Sequence, residues 1–368
     1  MENKSFEFTG TGREFFAIWI VNIALTILTL GIYSAWAKVR TNQYFFGNTV
    51  LDNVSFRYTA SPIQILKGRL IAFALFMVYF VASNMSPLIA AGAVIILMVL
   101  VPAFLVMSMS FKLRNTEYRN IRFNFDKNFK KAYKVFAIPV VITGLYILFV
   151  GVIQNNLAAA QQDNQVFGIL VSILLLTIAL MVPWWEFMIT QFKVTHASYG
   201  QSEFDFSATT KNYYGMYLKI YALIVAVFVV MGGLFAGIFN NPALTGGFGI
   251  ISAVLIIIMF VVYFWIFAYM QAKRTNLMYN NLRLNGLQVK SALTTIELLI
   301  LYITNTLAIM LSLGLLMPWA KVRTARYRAS VTSVDTTEGL DRFIKSEEEK
   351  QNAFGEEMGD MFDMDLGF

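Results

Sequence analysis

The chain has 368 residues, 57% of them hydrophobic and only 14% charged, a balance that excludes an ordinary soluble domain and points to a polytopic membrane protein. With no cysteine and a single histidine, disulfides, thiol redox chemistry and the usual transition-metal sites lack their ligands. The net charge of +7 comes from Lys and Arg beside apolar segments, so membrane topology and anionic lipid explain it, and no nucleic-acid partner is expected.

Residues 1–14 hold acidic side chains and no small-residue cleavage site, so no signal peptide is expected. A bilayer core takes about 20 apolar residues per crossing helix. The first apolar segment, 15–36, is long enough but carries Asn22 near its middle. Uninterrupted segments follow at 66–83, 88–111, 133–153, 166–189, 217–239 and 248–270; the last segment, 293–318, carries Asn305. Almost uncharged turns near Asn84, Asp163 and Asn240 join the middle six in pairs.

Self-similarity organises the chain. The run Trp36-Ala37-Lys38-Val39-Arg40-Thr41 returns unchanged from Trp319 through Lys321 and Arg323 to Thr324. Downstream, Asn48 to Tyr58 lines up without a gap with Asn115 to Phe125 and His196 to Phe206, and more faintly with Asn281 to Val289. The same registers set Trp36 against Ala103, Trp184, Tyr269 and Trp319, giving five degenerate units at about 6–58, 56–125, 123–206, 204–289 and 289–334. In each, an apolar helix is expected to end at a Pro/Ala-aromatic pair, followed by a short basic segment and a hairpin. The turns are Asp52-Asn53, Arg119-Asn120, Gly200-Gln201 and Asn285-Gly286, the last being the strongest short hairpin signal because both central residues need positive φ.

The positive-inside rule places these hairpins in the cytoplasm, with Lys127, Lys130 and Lys131 as a lipid-facing basic cluster. Phe6–Phe8 resembles a second hairpin strand without a first, and Val331–Val334 a first without a second, so pairing them would close the set. That requires both termini on one side. Each end segment either crosses once, which would put the two copies of the repeated motif in opposite compartments, or dips in and returns, bending between Asn22 and Gly31 and between Asn305 and Gly314; the second is favoured. The expected class is an all-α polytopic membrane protein with six to eight transmembrane helices and short cytoplasmic β-hairpins. Residues 1–334 form a single integral-membrane domain, and 335–368 an acidic cytoplasmic tail, solvated or a short surface helix.

The run Asn22-x8-Gly31-Ile32-Tyr33-x2-Trp36-Ala37-Lys38-Val39-Arg40, with Phe6-x-Phe8-x-Gly10 before it and Asn48-Thr49 after it, resembles the YjgN family of bacterial inner-membrane proteins. The resemblance covers nearly the whole chain and implies a multi-pass helical protein of the bacterial inner membrane. It brings no agreed activity and no catalytic residues.

Nor do the residues themselves supply catalysis. His196 occupies the hairpin position of Asn48 and Asn115, where a polar side chain bonds the turn. Gly10-x-Gly12 is too short for a nucleotide fingerprint, and no hydrolase, metalloprotease or phosphate-loop motif occurs. Catalytic residues, metal ligands and cofactors are therefore all expected to be none. Glu186, beside the Trp184-Trp185 pair, reads as an interfacial charge. Asn22, Asn305 and Glu297 form the candidate midplane polar site, because polar and ionisable groups in hydrocarbon are costly. Two polar, Gly-broken segments among repeated helices resemble how transporters place a midplane site, so transport or permeation of a small solute or ion leads. The alternative is a scaffold binding lipid or a partner through its basic hairpins. The bilayer and its anionic lipids are the expected partners, with the oligomeric state left open.

Overall fold

A computed structural model describes residues 2–157, 164–239, 248–336 and 339–350. The turns expected near Asp163 and Asn240 and the acidic stretch 351–368 lie outside them.

Short strands alternate with helical hairpins: β1 (Glu2–Phe8), α1 (Gly12–Leu28), α2 (Ser34–Gly47), β2 (Thr49–Leu51), β3 (Val54–Tyr58), α3 (Pro62–Met85), α4 (Pro87–Arg114), β4 (Thr116–Tyr118), β5 (Ile121–Phe125), α5 (Phe129–Leu157) and α6 (Asn164–Thr195). Then come β6 (Ala197–Tyr199), β7 (Ser202–Glu203), β8 (Asp205–Phe206), α7 (Thr210–Phe239), α8 (Phe248–Asn280), β9 (Leu282–Leu284), β10 (Leu287–Ser291), α9 (Thr295–Leu311), α10 (Met317–Ser330) and β11 (Thr332–Thr336). A last helix, α11, covers residues 340–350.

All eleven strands join one antiparallel sheet, in the order β7-β6-β5-β4-β3-β2-β1-β11-β10-β9-β8, which overturns the expected all-α class. The hairpins are not separate surface pieces. Strands β3 and β5 each pair through the first half with their own hairpin partner and through the second half with the next hairpin. In β3, Val54 and Ser55 face β2 whereas Phe56, Arg57 and Tyr58 face β4. This satisfies the backbone of strands too short to be stable as isolated ribbons. Phe204 alone separates β7 from β8, so the two ends of the sheet are one stretch of chain and the sheet closes into a ring. The first and last strands pair as expected, but further along: Glu2–Ser5 lie against Ser333–Thr336, which frees Phe6–Phe8 to pair with β2.

The turns follow the sequence. Asp52, Asn53, Arg119, Asn120, Asn285 and Gly286 take positive φ, whereas in the third hairpin, of its central pair, Gly200 does so. A single apolar cluster draws side chains from every hairpin, including Leu51, Tyr118, Ile121, Tyr199, Leu287 and Val334. In a closed ring only the inner face can bring these together, so the interior is filled. Tyr118 donates its hydroxyl to the Leu51 carbonyl (2.8 Å) and Tyr199 donates to the Tyr118 carbonyl (2.9 Å), tying successive hairpins across the interior. Burial pushes both phenols above their ordinary pKa.

Each end segment folds back on itself as a helical hairpin. Strands β1 and β2 are paired, as are β10 and β11, so the chain must return to the side from which it left. Both bends are Schellman turns with Leu30 and Leu313 at φ 50°. Gly31 N–H donates to the Thr26 carbonyl and Gly314 N–H to the Ile309 carbonyl, each at 2.8 Å, so the turn satisfies carbonyls that hydrocarbon could not. At 17 residues, α1 and α9 are about 26 Å long, short of the roughly 30 Å hydrocarbon core.

The paired helices between them are longer, and five described helices have the length and composition to cross a membrane. Contrary to the expected helix ends, α4 runs through Pro102 to Arg114 and α6 through Pro183 to Thr195. In α10 the corresponding Pro318 instead sits in the first turn, where proline costs no hydrogen bond. The long helices stay largely uncovered. Residues 256–261 of α8 are all exposed, and six consecutive residues sweep the whole helix circumference. Such a surface suits lipid on every side and not water.

Candidate functional site

The candidate polar residues sit in the two end hairpins, and the structure does not join them. Asn305 is buried and spends its amide inside its own hairpin, donating to the Ala320 carbonyl (3.3 Å) and Thr324 Oγ1 (3.1 Å). Its oxygen accepts from Arg323 Nη1 (3.1 Å), which also donates to Thr304 Oγ1 (2.5 Å). Asn22 is equally buried, yet neither its oxygen nor its nitrogen has a partner among the described residues. Glu297 is no midplane group. It stands in the first turn of α9, accepting from Thr294 Oγ1 (2.9 Å) and the Tyr327 hydroxyl (2.7 Å). Thr11, Glu14 and Tyr44 repeat that arrangement at α1, where Thr11 and Glu14 form a capping box. The Thr-x-x-Glu spacing was the signal for this, since it satisfies donors that a helix start leaves open.

The repeated motif lies within α2 and α10. Trp36 stacks on Tyr33 (ring centroids 6.1 Å apart) and Arg40 lies 5.8 Å from the centre of the same ring, whereas Arg323 lies 5.3 Å over Trp319. Lys38 and Lys321 are exposed. At the helix ends, Asn48, Asn115 and Asn281 each donate to the carbonyl four residues back, at 2.8, 2.7 and 2.8 Å. His196 does the same, its Nδ1–H donating to the Phe192 carbonyl at 2.9 Å, so the one histidine is a helix cap. Glu186 forms a bidentate pair with Arg274 (2.5 and 2.7 Å) and also accepts from the Tyr217 hydroxyl, tying α6, α7 and α8 together.

The basic cluster has a shape that the sequence could not show. Lys130 and Lys131, joined by Lys134, line a cleft of about 430 Å³ at the start of α5, floored by Val135, Met188 and Phe192. Lys127 precedes the helix and is outside the lining. Among the described residues no carboxylate pairs with any of these four lysines, all of which are exposed. The spacing of Lys130, Lys131 and Lys134 was visible in the sequence; that α6 closes the cleft from some 60 residues away was not. Among the described residues no group of acidic, histidine or cysteine side chains could hold a metal ion.

A family model described as a bacterial protein of unknown function, DUF898, matches residues 3–361. The chain belongs to this family. Among its relatives is the inner membrane protein YjgN of Salmonella typhimurium, 26% identical over 353 residues, covering 90% of this chain and 88% of the relative. The proteins of that name in Escherichia coli O157:H7 and Escherichia coli K12 are each 30% identical over 142 and 148 residues, 38% of this chain and 36% of theirs. No solved structure matches the chain. With five described helices of membrane length, this family member is a multi-pass protein of the bacterial inner membrane, in contact with the lipid bilayer.

Proposed function

We propose that the protein is a lipid-binding membrane scaffold whose β-ring faces the cytoplasm and whose cleft at Lys130, Lys131 and Lys134 holds anionic phospholipid headgroups. The observation that carries this reading is three unpaired ammonium groups above an apolar floor, against α6, a helix of membrane length. Each lysine near an anionic surface contributes about 1 kcal/mol. Cytoplasmic placement rests on the basic residues gathered at the ring. We read residues 1–334 as one domain of five degenerate units, supported by the shared helix caps at Asn48, Asn115, His196 and Asn281.

The test is thermal unfolding of the protein in phosphatidylcholine vesicles with and without phosphatidylglycerol. Phosphatidylglycerol should raise the midpoint, and the triple variant Lys130→Gln, Lys131→Gln, Lys134→Gln should lose most of that rise. Equal midpoints in both vesicles would overturn the reading.

Transport, which the sequence favours, ranks second, because the filled ring leaves no axial path while Asn305 is committed to its own hairpin. One observation still speaks for it: the buried, unpartnered amide of Asn22. If transport is right, Asn22→Ala should abolish a flux in protein that remains inserted.

A further inference from the structure

Chain enters and leaves each hairpin from a helix, so the turns lie at the end of the ring away from the membrane helices. Across that mouth lies α11, part of the stretch expected to be a solvated tail. Leu340 and Ile344 are buried in the ring cluster, and Phe343 stacks on Tyr199 with centroids 6.1 Å apart. Arg119 joins Asp52 (2.6 Å) on one side to Asp341 of the helix on the other.

One contact does not fit an apolar plug. Glu347 is fully buried, and its carboxylate accepts from Ser202 Oγ (2.6 Å), the Gln201 N–H (3.0 Å) and Lys350 Nζ (2.7 Å). Ser202 is held in turn by Asn285 Nδ2 (2.5 Å). A buried carboxylate without such donors would be strongly destabilising. Burial alone would raise its pKa, but the hydrogen bonds from Lys350, Ser202 and the Gln201 amide outweigh it and hold the group below the usual carboxylate range.

The third hairpin departs from the others at just the positions that receive this group. Ser202 stands where the other hairpins place Val54, Ile121 and Leu287. Gly200 stands where they place Asp52, Arg119 and Asn285, and a Cβ there would come within 2.8 Å of Glu347 Oε2. Gly200 therefore supplies clearance as well as the positive φ (60°) of its turn.

We infer that the third hairpin is a carboxylate-recognition site at the mouth of the ring and that α11 is a plug latched into it through Glu347. The ligand class of this site is an amphipathic helix presenting apolar residues at the spacing of Leu340, Phe343 and Ile344 followed by one carboxylate, and the chain supplies its own. The plug covers ring residues that would otherwise meet water, among them Tyr199 and Ile121.

Because the chain has no cysteine, the latch can be tested by single-cysteine labelling of the full-length protein in detergent micelles. Ile344→Cys probes the buried face and Glu348→Cys the exposed face of the same helix. In the unaltered background the cysteine at 344 should react with a hydrophilic maleimide about tenfold more slowly than that at 348, as expected for reaction through local opening. Adding Glu347→Gln or Gly200→Asn should remove most of the difference. Gly200→Asn keeps the turn, since Asn285 already takes positive φ at the matching position, while its Cβ evicts the carboxylate. Equal rates at 344 and 348 without either substitution, or protection at 344 that survives both, would overturn the inference.

Discussion

The hairpins α1–α2 and α9–α10 carry the same six residues, Trp36 to Thr41 and Trp319 to Thr324, in two different settings. In the last hairpin Arg323 reaches back to Thr304 and Asn305, and Asn305 bonds across to Ala320 and Thr324. In the first, Arg40 lies over Tyr33 and the side-chain amide of Asn22 bonds to no described residue. The cause lies outside the shared motif. Thr304 is replaced by Val21, which offers no acceptor, and Leu316 by Tyr33, whose ring attracts the guanidinium. A repeated motif thus fixes a helix and its charge, while its neighbours decide what the arginine holds.

Substitutions should separate the two hairpins. The largest effect is expected at the asparagines. Asn305→Leu should cost about 1–3 kcal/mol, because it removes the bonds of a buried amide and strips the half-buried Arg323 guanidinium of one acceptor, whereas Asn22→Leu should be neutral or stabilising, there being no side-chain hydrogen bond to lose. Thermal unfolding in one detergent measures both. Next, Arg323→Lys should cost about 1 kcal/mol, because the lysine ammonium does not sit where the planar guanidinium places the Nη1 that donates to both Thr304 and Asn305, and Arg40→Lys about half that, since only a ring contact changes. Smallest is a conversion: Val21→Thr with Tyr33→Leu should let Arg40 engage Asn22. In that background Asn22→Leu should become destabilising, by about 0.5 kcal/mol in a double-mutant cycle. If Asn22→Leu is as costly as Asn305→Leu from the start, the contrast is wrong.

Much of the ring was legible locally. The turn pairs and the alternation through Phe56, Phe123 and Phe204 marked the hairpins, and the amide midway along 15–36 with Gly31 beyond it marked the bend. What local sequence could not show was that β3 pairs with β4 across α3 and α4, since strands of three to five residues carry no record of a partner some 60 residues away. The helix ends were misread because Pro102 and Pro183 resemble terminators, although neighbouring helices in a bilayer tolerate proline inside a helix. Glu297 reads as part of a midplane site because it enters an apolar segment, whereas the Thr294-x-x-Glu297 spacing is that of a helix cap. The stretch after 335 was read from its net charge, which hid the apolar spacing of Leu340, Phe343 and Ile344 that seats α11 on the ring.

The central claim is that both end hairpins re-enter, so that every turn of the ring lies on one face of the membrane. It is tested most directly by introducing single cysteines at Asn53, Asn120, Asn285, Leu30, Leu313 and Asn84 and labelling intact cells with an impermeant maleimide. Cysteines at the three ring turns should share one accessibility, opposite to that of Asn84→Cys in the α3–α4 turn, and those at Leu30 and Leu313 should resist labelling from either side. Ring turns reacting from opposite faces, or a cysteine at 30 or 313 reacting as readily as that at 84, would contradict it.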